Sequence, residues 1–161
     1  MSKLTFDKYN DKVAKFAAPL DPANADRVIT EETIALLERF VLMARTIDNL
    51  KKAAFYGRGV ESFPLPVKPL DRHGTSLELL HGVFGIAGES GEVVELALKR
   101  LRGEPVTDKE FRSELGDGLW FHRHAAHALE EEGGLALVAE ENHDKLAERW
   151  AGNVGKQDFK S

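Results

Sequence analysis

The chain has 161 residues, the size of one compact domain able to bury a core without covalent staples. A formal net charge of -5 and a pI near 5.7 give it no attraction for nucleic-acid backbones, and the absence of cysteine excludes disulfides, thiolate nucleophiles and cysteine-held zinc. No stretch approaches the roughly 18 apolar residues of a membrane span, and Met1 to Asp11 lacks the apolar heart of a signal peptide. The expectation is one cytoplasmic domain over 1–161, with neither nucleic acid nor membrane as partner.

β-Branched alternation is scarce, whereas apolar residues recur every three or four positions, so the spacing predicts an all-α bundle of about five helices. The first runs from about Thr5 to Ala17 and stops before Pro19 and Pro22. The second spans Glu31 to Tyr56, capped by Thr30 and ended by Gly57; Ile34, Leu37, Val41, Ala44, Ile47 and Leu50 or Ala54 form its expected buried stripe. Its charged face looks like an ordinary solvated surface. Residues 57–74 carry Pro64, Pro66 and Pro69 and read as a lid, a partner-wrapping arm or a mobile surface loop. Thr75 and Glu78 form a capping box for a third helix reaching Leu101, before Gly103 and Pro105. Thr107 and Glu110 repeat that signature for a fourth, reaching about Glu131; Gly133 and Gly134 break it, and a fifth covers Leu135 to Trp150. Residues 151–161 read as a flexible tail.

Glu89 and Glu92 stand three residues apart, as do Glu114 and Asp117, so each pair projects from one face of its own helix. In an antiparallel hairpin pivoting at Gly103, residues equally distant from the pivot come level. Glu89 then meets Asp117, Glu92 meets Glu114, and His81 lies near Ala125. Like charges about 5 Å apart repel by roughly 3 kcal/mol at an effective dielectric near 20, so four level carboxylates need cations or protons between them. An all-oxygen set suits magnesium or manganese, ions that also bind phosphate oxygens and acidify an attacking water. Glu95 continues the edge as an outer ligand or a supporting contact. The alternative is a solvated acidic helix face. Gly85, Gly88, Gly91, Gly116 and Gly118 each cost a helix about 1 kcal/mol relative to alanine, which points to close backbone approach, by a ligand or by another helix.

The run Gly85-Ile-Ala-Gly-Glu-Ser-Gly-Glu92, followed after 21 residues by Glu114-Leu-Gly-Asp117, resembles the EXXE and EXXD signature of MazG-like, all-α nucleotide pyrophosphohydrolases. Leu119 to Phe121 fits as well, and Asn142, Lys145, Leu146 and Arg149 resemble the family's N-x-x-K-L-x-x-R element, so the likeness covers about Leu80 to Arg149. The resemblance implies magnesium-dependent attack of water on the α-phosphorus of a nucleoside triphosphate, of the dNTP class, giving the monophosphate and pyrophosphate. It implies Glu89, Glu92, Glu114 and Asp117 as metal ligands and catalytic groups, and a homodimer or homotetramer. Asn142, Lys145 and Arg149 share one helical face suited to a polyphosphate, or else to solvent and ion pairs. The long segment Asp21 to Leu79 departs from short members of the family.

Trp120 and His124 extend the stripe of Asp117, and with His81 they form a candidate site for the base, about two turns from the carboxylates. Core packing is the competing role for Trp120 and Phe121. Phe55, Tyr56 and Arg58 are placed to close over the nucleotide. Two rival functions stand beside the hydrolase. Glu78-Leu-Leu-His81 and Glu140-Glu-Asn-His143, with Glu38 and Glu114, fit a ferritin-like di-iron protein; a non-catalytic bundle using its Pro-rich segment to grip a partner is the other. Of His122, His124 and His127, only the last two can share a zinc ion. Ser90 lacks the spacing and the preceding strand of a hydrolase elbow.

Overall fold

The computed structural model describes residues 6–16, 21–63, 71–129 and 134–154. Their elements are α1 (Phe6–Ala14), α2 (Pro22–Val28), α3 (Glu31–Tyr56), a 3-10 turn (Val60–Ser62), α4 (Leu77–Leu101), α5 (Asp108–Leu129) and α6 (Leu135–Val154), with no strand among the described residues. The all-α reading holds with one helix more than expected. Pro22, read as a stop, instead opens α2: it sits at the first helical position, and the Asp21 carboxylate accepts from Ala23 N–H.

Most helix ends follow local chemistry. Thr30 caps α3 by accepting from Thr33 N–H, and Gly57 ends it with φ +65°. Thr107 and Glu110 form a reciprocal capping box ahead of α5: Thr107 N–H donates to Glu110 Oε2 at 2.7 Å, and Glu110 N–H to Thr107 Oγ1 at 3.2 Å. At α4 the cap is Ser76, which accepts from Leu79 N–H, rather than the expected Thr75. Adjacent hydroxyls offer the same chemistry, and the register of the helix chooses between them. α6 continues past Trp150 to Val154, α1 stops at Ala14, and α5 ends at Leu129. Pro19, Pro64, Pro66, Pro69, Glu131, Gly133 and residues 155–161 lie outside the described residues.

α4 is the central helix, packed along one side by α5 and along the other by α3, while α6 meets α5 and α1. Its glycines explain that closeness. A Cβ on Gly82 would lie 2.8 Å from the backbone nitrogen of Ala125, and one on Gly85 would overlap the Phe121 ring. One on Gly91 would overlap the Ala44 methyl, and one on Gly88 would come within 3.4 Å of Asp48 Cβ. Gly82 and Gly85 thus present α5 with a bare stretch and Gly91 does so for α3, so close helix packing accounts for these three, whereas a Cβ on Gly88 would make only an ordinary contact.

The buried stripe of α3 differs from the expected one. Val41 and Ala44 are buried, but the stripe continues through Asp48 and Lys51, while Leu50 and Ala54 are exposed. A helical period carried on from Val41 reaches positions 48 and 51 whatever side chains stand there.

Candidate functional site

Pivoting at the α4–α5 connection sets the register that the sequence implies. Gly85 faces Phe121, Gly82 faces Ala125 and Glu89 Cβ lies beside Gly118. On this register Glu89, Glu114 and Asp117 converge, each offering a carboxylate oxygen within 4.8 Å of the others; among the described residues this is the one group of three able to hold a metal ion. Glu92 stands beside this triad, exposed, its carboxyl hydrogen-bonded to that of Glu114.

The electrostatics match the crowding. Burial, then Glu92 and Asp117, raise Glu89, and the ammonium of Lys51 only partly opposes them. Glu114 is pushed up to about 6 by burial, by its bond to Glu92 and by the charges around it. Crowding of this kind disfavours full ionisation of the carboxylates.

α3 contributes a component that the sequence reading missed. Lys51 is 4% exposed, with Nζ 2.9 Å from Asp48 Oδ1, 3.5 Å from Glu89 Oε1 and 4.4 Å from the centre of the Phe121 ring. Lys52 also pairs with Asp48. Burial works to raise Asp48, but the hydrogen bonds from Lys52 and Lys51 outweigh it and hold the carboxyl below its usual range. The signal that would have found the pair is the helical period itself, followed through polar residues instead of stopping at them. Glu95 is committed elsewhere, to Lys99 at 2.7 Å and Arg45 at 2.6 Å, which lower it. Neither an outer ligand role nor direct support of the triad is drawn from it.

Two hollows flank the carboxylates. One of about 660 Å³ lies against α6, bordered by Glu89, Glu114, Val94, Leu119, Val138 and Asn142 among others. The second, about 430 Å³, lies between α3 and α4, where Arg45, Lys52 and Lys99 meet Glu92 and Glu114. Asn142 thus reaches the site's edge, where its Oδ1 accepts from the Tyr9 hydroxyl at 2.9 Å. Lys145 and Arg149 are exposed on α6 and border neither hollow.

His81, Trp120 and His124 do come together. Trp120 stacks on His124 with ring centres 5.1 Å apart and planes within 9°, and His81 Nδ1 lies 3.4 Å from His124 Nε2. The Tyr56 hydroxyl meets His81 Nε2 at 2.7 Å, and Phe55 packs on the same imidazole. Burial, then His124 and Lys51, lower the pKa of His81. Both ring nitrogens of His81 are therefore engaged within the cluster. Phe121 is buried, as core packing requires, but Trp120 remains half exposed.

The di-iron arrangement does not assemble. Glu38 pairs with Arg102, His81 with Tyr56 and His124, and His143 with Asp144, while Glu114 stands in the triad. His124 turns to His81, His122 to the carbonyl of Gly118, and Ser90 bonds the carbonyl of Ile86. Comparison with family models, curated proteins and solved structures finds no match to this chain.

Proposed function

We propose that this protein hydrolyses a nucleoside triphosphate, of the dNTP class, to its monophosphate and pyrophosphate, with magnesium or manganese held by Glu89, Glu92, Glu114 and Asp117. The observation that carries the reading is the convergence of Glu89, Glu114 and Asp117 from two helices within 4.8 Å, with Glu114 bordering both hollows. A set of oxygen donors alone suits a hard cation, and burial together with the neighbouring carboxylates, which raise Glu89 and Glu114, makes a site where such a cation offsets the cost of ionising them. When bound, the ion neutralises triphosphate charge and acidifies a water ligand.

The chain's own residues supply the rest. Lys51 fixes the Glu89 carboxylate from below, and the Asp48 bridge fixes Lys51. Glu92 lies close enough to Glu114 to raise it, which leaves both carboxyls within reach of one cation. In the reaction, water oxygen bonds to the α-phosphorus and its proton passes to a carboxylate of the site, while the bond from that phosphorus to the bridging oxygen breaks and pyrophosphate departs with the electron pair.

Assembly as a homodimer or homotetramer belongs to the same reading. Leu36, Phe40, Met43 and Leu50 form one exposed face of α3, and no large side chain among the described residues is fully buried. An apolar helix face of this length fits a second copy of the chain; light scattering across concentration tests it.

The central experiment incubates purified protein with each common dNTP and magnesium, measuring monophosphate and pyrophosphate. Turnover is expected on at least one nucleotide, with Glu89→Gln and Asp117→Asn reducing it by about a hundredfold or more. Absence of turnover throughout would refute the enzyme and favour an interaction module, whereas bound iron with a near-ultraviolet band would restore the oxidoreductase.

A further inference from the structure

We infer that the triphosphate lies across Glu114, with its pyrophosphate end in the hollow between α3 and α4 and its nucleoside end in the cleft against α6. The inference rests on the hydrolase reading and adds the direction of the substrate and the residues that receive each end.

Glu114 borders both hollows, whereas Glu92 borders only the α3–α4 hollow and Glu89 only the cleft against α6. The two hollows differ in chemistry. Arg45, Lys52 and Lys99 border the α3–α4 hollow, and their side chains are 58%, 45% and 41% exposed. Each is paired with a carboxylate, Arg45 and Lys99 with Glu95 and Lys52 with Asp48. The Arg45 and Lys99 ends of the Glu95 pairs are about half exposed, so these two cations can share themselves with phosphate oxygens at modest cost, whereas Lys52 stays with the buried Asp48. The cleft against α6 is walled by Val94, Leu119, Val138 and Ala139, and among the described residues no lysine or arginine borders it. Its volume falls in the range of small-ligand sites, and an apolar wall suits a base and sugar better than a polyanion.

The reverse direction would put phosphates against aliphatic walls and the base among charged side chains, Arg45, Lys52 and Lys99 with Asp48, Glu92, Glu95 and Glu114. The His81 cluster is the other candidate for the base, but the ring nitrogens of His81 are taken by Tyr56 and His124, and one face of Trp120 is covered by His124. In the cleft, Asn142 accepts from Tyr9 through Oδ1, which leaves its amide N–H groups to bond a base edge.

Calorimetry with two probes tests the assignment: inorganic pyrophosphate with magnesium, and the α,β-methylene analogues of the four common dNTPs. The double variant Arg45→Gln/Lys99→Gln is expected to weaken pyrophosphate binding at least about tenfold, with Lys145→Ala/Arg149→Ala changing it less than about threefold. Ala139→Phe, which fills the cleft, should leave pyrophosphate binding intact and weaken the analogues about tenfold or more. Val138→Trp, at a position already 45% exposed, repeats the test if Ala139→Phe fails to fold. Pyrophosphate loss confined to Lys145→Ala/Arg149→Ala, analogue loss confined to Trp120→Ala/His124→Ala, a cleft filling that changes only oligomeric state, or a wild type that binds neither probe would each overturn the inference. The expected binding pattern without turnover of any dNTP would retain the orientation and sink the hydrolase.

Discussion

Replacing Lys51 by methionine separates its charge from its volume. The two side chains are close in size, so packing against Phe121 is largely kept while the ammonium disappears. What remains is Glu89, 8% exposed and already raised by burial, together with Asp48, also 8% exposed and still paired to Lys52. Removing one partner of a buried ion pair costs about 3–5 kcal/mol when the other charge is left uncompensated. Because Lys52 retains Asp48 and Glu89 can take up a proton, the expected loss is smaller, about 2–3 kcal/mol in chelator at neutral pH. Saturating magnesium, at about a hundred times its dissociation constant, stabilises a folded protein by about 2.7 kcal/mol. It should stabilise Lys51→Met more than wild type, since the rival cation beside Glu89 is gone. Urea unfolding of both proteins in chelator and in magnesium measures the four stabilities. A variant within about 0.5 kcal/mol of wild type in chelator, or one whose gain from magnesium is no larger, would refute the account of Lys51 as the counter-charge of Glu89.

Two glycines should respond in opposite directions: Gly85→Ala, forced against the Phe121 ring, is expected to cost about 1–3 kcal/mol in urea unfolding, while Gly116→Ala, with open space around its Cβ, should gain about 0.5–1 kcal/mol. In chelator, Glu114 carries a penalty that is full above its folded value of about 6 and fades as pH falls toward its ordinary value of 4.5. Raised Glu89 acts in the same sense, and the lowered Asp48 stays ionised over this window. Thermal melts from pH 8 to pH 5 should therefore show the stabilising effect of magnesium shrinking as pH falls through about 6, and a constant or growing effect would contradict the triad's electrostatics. Thr107→Ala removes one half of the capping box on α5 and should cost about 1 kcal/mol, read by the same unfolding assay.

Sequence alone determined what depends on neighbours along the chain. Helical periodicity, the caps at Thr30, Gly57 and Thr107, and the i,i+3 carboxylate pairs are local, and the pivot near Gly103 was enough to level Glu89 with Asp117 and Glu92 with Glu114. Pro22 misled because the same ring that ends one helix is well suited to begin another. Only the tertiary structure decided which side of α4 each glycine serves, because Gly82 and Gly88 look alike until α5 and α3 are set against them. The same close approach carried Asp48 and Lys51, distant in sequence from the carboxylates, beneath Glu89; the helical period marks both as inward-facing, but only the packing of α3 on α4 sets which carboxylate they meet.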